Sequence, residues 1–343
     1  MFDKALNERE SKILNLIVES YVQTATPVGS RYLCKKYGLN LSPATVRNVM
    51  NDLEEMGFIT QPHVSSGRVP TDRGYRFYVD SLTSLKSLAR RERRMIVENL
   101  RKVSIDVTKI LDVSSQVLAN ISSQLGVVLE PSFRDGVFQR MELVAVSENK
   151  LLAVISIKSG LVKTFMMELD SGFSVDQLHD VSWVITERLS GLSLQEVKET
   201  IDVRLRNVAD VNENLIRLII DSSSHLFDFE REKELHLGGA RYIMSNPEFS
   251  NREYAARILE LIESKEGLLH LLDDRAGPEP VSIRIGSENR EEVFRDCSVV
   301  VTRYHVGNIA GTLGVVGPTR MQYAKIIPLV EYMGKTLTQM LCG

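Results

Sequence analysis

Apolar residues recur at helical spacing three times near the start of the chain. Ile13, Leu14, Ile17, Val18 and Tyr21 make the first stripe, with Asn7 placed to cap it. Thr26-Pro27 ends that helix, because proline removes a donor and pushes the residue before it toward an extended conformation. A second, short helix is predicted from Ser30, as its cap, through Tyr37, with Tyr32 and Leu33 inward and Gly38 as the stop. A tight turn leads to Ser42, a good N-cap, and to Pro43 at the first helical position, where its missing N–H costs nothing. Val46, Val49, Met50 and Leu53 form the third stripe, and Gly57 follows. Opposite that stripe lie Thr45, Arg47, Asn48 and Asn51. Arg and Asn are the residues that make bidentate contacts to guanine and adenine. The apolar pair Phe58-Ile59 then opens a loop with Pro62, Gly67 and Pro70 and a basic tip at Arg68. Two helices joined by a tight turn, then a hairpin and a basic loop, describe a winged helix-turn-helix that reads duplex DNA. The plainer alternative is a three-helix domain that packs against the rest of the protein; the agreement of caps, wing and charge favours DNA.

Downstream the pattern changes twice. Thr71 caps a predicted helix to about Leu82, whose Tyr75, Phe77, Tyr78 and Val79 form an aromatic patch suited to packing under the wing. Residues 91–125 read as one long helix. Its seam runs through Ile96, Leu100, Val103, Val107, Ile110, Leu111, Val117, Leu118, Ile121 and Leu125, a connector with a face for a partner helix. At Glu130-Pro131 the body begins. Runs at 137–146, 150–157 and 161–168, separated by Glu148-Asn149 and Ser159-Gly160, predict antiparallel hairpins. From Ser174 to about Asp274 the period is helical, with stripes at Leu178, Val181, Ile185 and Leu189, at Leu215 to Ile220, and at Ile258, Leu259, Leu261 and Ile262. Strands return at 281–285, 298–306 and 309–316, the last two joined by a Gly307-Asn308 turn, and a final helix starts near Met321. The expected architecture is α+β and multidomain. Residues 1–88 are the reading head and 89–130 the connecting helix. An α+β domain from 131–173 and 276–343, its strands expected in one antiparallel sheet, carries a helical insertion at 174–275. Two consecutive α+β domains are the alternative.

Charge sharpens this picture only by segment. The chain is net −3 over 343 residues, yet residues 1–103 hold 17 Lys+Arg against 11 Asp+Glu, or +6, and the remainder holds 25 against 34, or −9. A basic first third on an acidic body is an electrostatic footprint for a polyanion at one end. The run Arg90-Arg91-Glu92-Arg93-Arg94 reads as a solvated helix face before it reads as phosphate contact. No apolar run approaches the roughly 20 residues of a membrane span. The opening Met-Phe-Asp-Lys is charged and unlike a signal peptide, so a cytoplasmic protein is expected, nucleoid-associated when on DNA. Cys34, Cys297 and Cys342 are too scattered for a disulfide framework or a zinc site, and the six histidines lack ligand spacing. Gly307, Gly311, Gly314 and Gly317 follow no strand-to-helix phosphate turn. An enzyme is the second function class considered, and no set of nucleophile, base and oxyanion donors supports it. No cofactor or metal is expected.

Three stretches carry a family resemblance. Ala25-Thr26-Pro27-Val28-Gly29-Ser30 with Leu41 to Asn48, the wing segment Gln61 to Arg76, and Leu313 to Tyr323 resemble the heat-inducible transcription repressor family HrcA, with Gln322 where an acidic residue is usual. The resemblance runs the full length and is weakest in the central helices. It implies a winged helix, a GAF-like domain, and a dimerising domain inserted into the GAF-like one. It also implies homodimers that bind an inverted-repeat operator, the CIRCE element, at chaperone operons of the groE and dnaK type. Heat would inactivate them, and the GroE chaperonin would help restore them. Under this reading Thr45, Arg47, Asn48 and Asn51 face base edges. Ser30, Arg31 and Ser42 hold phosphates near helix N-termini. His63, Ser65, Ser66 and Arg68 place the wing on the backbone or in the minor groove. The rival within DNA binding is a regulator switched by a small molecule in the GAF-like pocket, unless side chains such as Phe165, Met166 and Met167 fill it.

Overall fold

The computed structural model describes residues 6–63, 66–82, 87–103, 106–133, 136–169, 172–206, 208, 211–227, 234–245, 266–273 and 280–342. The chain divides into two compact units. The first comprises Met1–Val128, His236–Thr302 and Leu313–Gly334; the second comprises Leu129–Leu235, Arg303–Thr312 and Lys335–Gly343.

The first unit opens with α1 (Glu8–Thr24), α2 (Ser30–Tyr37), α3 (Pro43–Glu55), the short pair β1 (Ile59–Thr60) and β2 (Val69–Pro70), and α4 (Asp72–Asp80). Local chemistry sets these bounds. Asn7 and Glu10 form a reciprocal capping box at α1, which ends where Ala25 turns left-handed at φ 53. Ser42 caps α3 and Thr71 caps α4. The stripes pack as their periodicity predicts: Ile13, Leu14, Ile17, Val18, Leu33, Val46, Val49, Met50 and Leu53 are all buried. Phe77 meets Phe58 edge-on at 5.7 Å, and Tyr75 and Tyr78 are buried, so the aromatic patch is core. Two details differ from expectation. Gly29, not Ser30, is the N-cap of α2, and Ser30 is its first residue. Tyr32 faces outward, 41% exposed, because α2 is short and Leu33 alone reaches the core.

After α4 the predicted long helix is two: α5 (Arg90–Arg101) and α6 (Val107–Ser122). Asp106 starts the second one by accepting from the Lys109 N–H at 3.3 Å. Ser123, left-handed at φ 57, ends α6, and Leu125 belongs to strand β3 (Leu125–Leu129) instead of a helical seam. β4 (Phe138–Ser147), β5 (Lys150–Ile157) and β6 (Val162–Glu168) lead to α7 (Val175–Leu189), α8 (Leu194–Leu205), α9 (Glu213–Asp221) and α10 (Ser223–Leu226). Then come β7 (Leu235–Gly238), α11 (Ala240–Ser245), α12 (Glu266–Asp273), β8 (Val281–Ile285), β9 (Cys297–Val306), β10 (Ile309–Pro318) and α13 (Tyr323–Leu341). The stripe at Ile258 to Ile262 lies outside the described residues.

The expectation of one sheet interrupted by helices is corrected. The strands form a five-stranded sheet, ordered β7-β3-β10-β9-β8, and a separate three-stranded sheet, β4-β5-β6. Most residues of the five-stranded sheet lie in the first unit. Leu125–Leu129 is buried throughout and β9 and β10 nearly so, as expected of strands covered on both faces. The three-stranded sheet lies in the second unit, where Val144, Leu152 and Met166 are neighbours in register. Its inward face buries Met141, Leu143, Leu151, Ala153, Ile155, Phe165 and Met167. The outer edge of β4 is closed by α7: the Met141 and Leu143 N–H groups donate to Thr186 Oγ1 and Ser182 Oγ at 3.2 and 3.0 Å.

Candidate nucleic-acid interface

α3 is built with two unlike faces. Val46, Val49, Met50 and Leu53 are buried, while Ala44, Arg47, Asn48, Asn51, Asp52 and Glu55 are exposed. The exposed set repeats at threes and fours, so it lies along one side of the helix. Its start is ordered by hydroxyls. Ser42 Oγ accepts from the Thr45 N–H at 3.1 Å and lies 2.9 Å from Thr45 Oγ1. Ser42 and Thr45 therefore define the helix N-terminus, whose dipole favours anions. Charge changes sign along the helix. Arg47 sits in the first half and Asp52, Glu54 and Glu55 in the second, so a polyanion is favoured at the N-terminal half only.

The loop after β1 is held by its own hydrogen bonds. Ser66 Oγ donates to the His63 carbonyl at 2.7 Å and accepts from the His63 N–H at 3.0 Å, which leaves the His63 ring exposed. The expectation for Ser65 lies outside the described residues. At the stem, Val28 and Arg68 exchange backbone hydrogen bonds of 2.8 and 2.9 Å. Gly67 is required there, since a Cβ on it would lie 2.5 Å from the Val28 backbone.

Arg68 does not project as the basic tip that the sequence suggests. Its guanidinium pairs with Glu54 Oε2 at 2.7 Å and lies 3.4 Å from Asn51 Oδ1, and its side chain is 15% exposed. Two expected DNA contacts, Arg68 and Asn51, thus meet each other. The pairing neutralises one of the three carboxylates of α3 and braces the loop against the helix. Nothing in the spacing of Glu54 and Arg68 signals this contact, because it depends on the path of the loop between them.

On α2, Arg31 is exposed and Ser30 half-buried at the helix start. Sequence reasoning missed a neighbouring cluster. Lys36 Nζ donates to Gln23 Oε1 at 2.9 Å and lies over the rings of Tyr32 and Tyr37 at 5.4 and 5.2 Å. Hydrogen bonding to Tyr32 raises the Lys36 pKa, in keeping with a cation placed among these polar and aromatic groups. The i, i+4 spacing of Tyr32 and Lys36 was the available signal. The structure thus brings Ser42, Thr45, Arg47, Asn48 and Asn51 onto one helix, with Ser66 and Arg68 on the adjoining loop. The arrangement offers donors, acceptors and positive charge along one exposed helix side, which suits groove edges and phosphates. Of the side chains named for the ligand question, Phe165 and Met167 are buried in the second unit, and Met166 is 55% exposed. No helix among the described residues is long and apolar enough to cross a membrane.

The family description "HrcA protein C terminal domain" matches residues 108–327. The heat-inducible transcription repressor HrcA of Chlorobium phaeobacteroides is 40% identical over 347 residues, covering 98% of each chain. Its namesake in Prosthecochloris aestuarii is 41% identical over 344 residues, with 97% of each chain covered. That of Pelotomaculum thermopropionicum is 36% identical, covering 98% of this chain and 97% of its own. The crystal structure of a hypothetical protein solved at 2.2 Å shares the fold. It has a TM-score of 0.64 at 23% identity and covers 98% of this chain and 99% of that one.

Proposed function

Because this chain belongs to the HrcA family of heat-inducible transcription repressors, not enzymes, we propose that it represses chaperone operons of the groE and dnaK type. It does so by binding an inverted-repeat CIRCE operator as a homodimer that heat inactivates. Residues 1–88 are read as its winged helix-turn-helix head. The observation that carries this reading is α3, a capped helix with a buried apolar face and an exposed stripe through Arg47, Asn48 and Asn51. Arg47, Asn48 and Thr45 read base edges in the major groove. Ser42, Ser30 and Arg31 hold phosphates, and the loop with His63, Ser65 and Ser66 follows the backbone. Arg68 braces that loop through Glu54 and cancels the negative charge that Glu54 would otherwise present to DNA. The cell compartment is the cytoplasm, with nucleoid association while DNA is bound.

A palindromic site calls for two heads on a two-fold axis. The exposed face of the three-stranded sheet supports a second copy as partner. Val144, Leu152 and Met166 run across it in register, an apolar row flanked by the ion pair Arg140–Glu142, and an apolar row with a charged rim suits a protein partner. We therefore assign the dimerising role to the second unit, and the GAF-like role to the five-stranded sheet with its helices. Heat sensing needs no ligand: unfolding of a marginally stable dimerising unit releases the heads from one another. The GroE chaperonin returns the unfolded form to the active one.

The test is operator binding by the full chain at near-physiological salt, on a CIRCE-type inverted repeat and on a control with one half-site scrambled, with and without chaperonin. A large preference for the repeat that rises with chaperonin supports the reading. Salt-sensitive binding without preference contradicts it.

A further inference from the structure

The reading head and most of the five-stranded sheet, β8 included, belong to one compact unit, and the contacts that seat the head are concentrated on α4. The Arg76 guanidinium grips Glu288 with a two-pronged contact. Nε donates to Oε1 at 2.7 Å, and Nη2 donates to Oε2 and also to the Ile283 carbonyl at 2.8 Å. One turn earlier, Asp72 Oδ2 accepts from the Ser287 N–H at 2.8 Å. Gly286 makes room for that carboxylate: it sits at φ 53, and a Cβ there would lie 2.3 Å from it. Between the two, the Tyr75 ring lies 6.0 Å from that of Tyr323, whose hydroxyl is held by Ser298 Oγ and the Thr319 carbonyl. A separate tie joins α1 to the segment before α13, where Arg320 donates to the Val22 carbonyl at 3.0 Å.

The seat is itself stiff. Asn289 is buried and its amide lies within 3.0 Å of the Gly286, Phe294 and Cys297 carbonyls. Glu288 also accepts from the Ile285 N–H at 2.9 Å. Arg76 and Glu288 side chains are only 30% and 34% exposed, so water competes weakly for a planar, directional pair. A bidentate fork fixes orientation as well as distance, which a single point charge does not.

We propose that Asp72, Arg76 and Glu288 are positioning residues that set the angle at which α3 is presented, and thereby the half-site spacing that the repressor accepts. This rests on the reading that two heads bind an inverted repeat. Heads held at a fixed angle match one spacing on the helical repeat of DNA. Heads freed from the seat are joined by a tether, whose effective concentration changes only slowly with distance.

The experiment uses the full chain as wild type, Arg76→Ala, Glu288→Ala, Glu288→Gln and the exchange Arg76→Glu with Glu288→Arg. Each is titrated against a single half-site and against inverted repeats whose spacers differ one base pair at a time. The wild type is expected to show one narrow optimum. The single variants keep half-site affinity within about twofold, while their preference for the best spacer over neighbours falls by about tenfold. The exchange restores part of that preference. Glu288→Gln, nearly isosteric, separates loss of the ion pair from loss of fold, which thermal melting monitors. Unchanged spacer preference in folded single variants overturns the inference while leaving the repressor reading intact. A wild type that binds the inverted repeat no better than a single half-site overturns that reading and the inference with it.

Discussion

The head and the second unit place their exposed side chains to opposite ends. On α3 the exposed stripe is polar, with Arg47, Asn48 and Asn51 over a core of Val46, Val49, Met50 and Leu53. On the three-stranded sheet the exposed face mixes the ion pair Arg140–Glu142 with apolar Val144, Val162 and Met166, turned away from a core of Met141, Leu151 and Phe165. Both regions obey the same rule for the buried face. The proposed roles, one surface for a hydrated polyanion and one for a second copy, rest on the outer faces alone.

Equal cavities on the two sides sharpen that contrast. Leu53→Ala and Met141→Ala each remove a fully buried side chain and should destabilise their own region by about 2–5 kcal/mol, read by urea unfolding. The first should abolish half-site binding, and the second should weaken self-association with half-site binding retained. If both erased half-site binding equally, the division of labour would be wrong. Alkaline pH acts on several buried phenols, Tyr304 and Tyr323 of the body among them, and Tyr78 is the one that reports on the head. Burial, with Glu19 and Tyr37 nearby, pushes the Tyr78 phenol up to about 12. The folded head therefore keeps a proton that the unfolded chain gives up near pH 10. The associated stability, on the order of 2 kcal/mol, is complete below about pH 10 and lost as pH rises through about 12. Tyr78→Phe should flatten that part of a melting-temperature profile. Next, Val144→Lys puts a charge into the apolar row of the sheet face and should cost about 1.5–3 kcal/mol in self-association, measured by sedimentation, with little change in melting. An unaltered dimer would remove this face from the interface. The smallest effect is expected for Ser42→Ala, which deletes the α3 cap and should cost about 0.5–2 kcal/mol in head stability. A Ser42→Asp variant should keep the cap yet weaken DNA binding if phosphate lies nearby.

The head was largely legible in the sequence because its signals are local. Asn7 with Glu10, Ser42 with Pro43, and Thr71 each mark a helix start within a few residues. The apolar period then fixes the buried face of α3 and, by exclusion, its candidate reading face. The hairpins of the body were also local and were found. What escaped was set at a distance. Which sheet a hairpin joins depends on pairings far along the chain, so β4-β5-β6 looked like part of one interrupted sheet. Leu125–Leu129 is a short, wholly apolar run, which periodicity cannot separate from a helix end. Glu54 with Arg68 and Arg76 with Glu288 are ion pairs across loops or across most of the chain, and no spacing rule reaches them.

The central claim is that α3 reads sequence through Arg47. Affinity of Arg47→Ala for the inverted repeat and for scrambled DNA, at several salt concentrations, tests it most directly. The account predicts a loss of about 1–3 kcal/mol on the repeat, a much smaller loss on scrambled DNA, and an almost unchanged salt slope. Equal losses on both DNAs, with the slope reduced by about one, would assign Arg47 to a phosphate and contradict the claim.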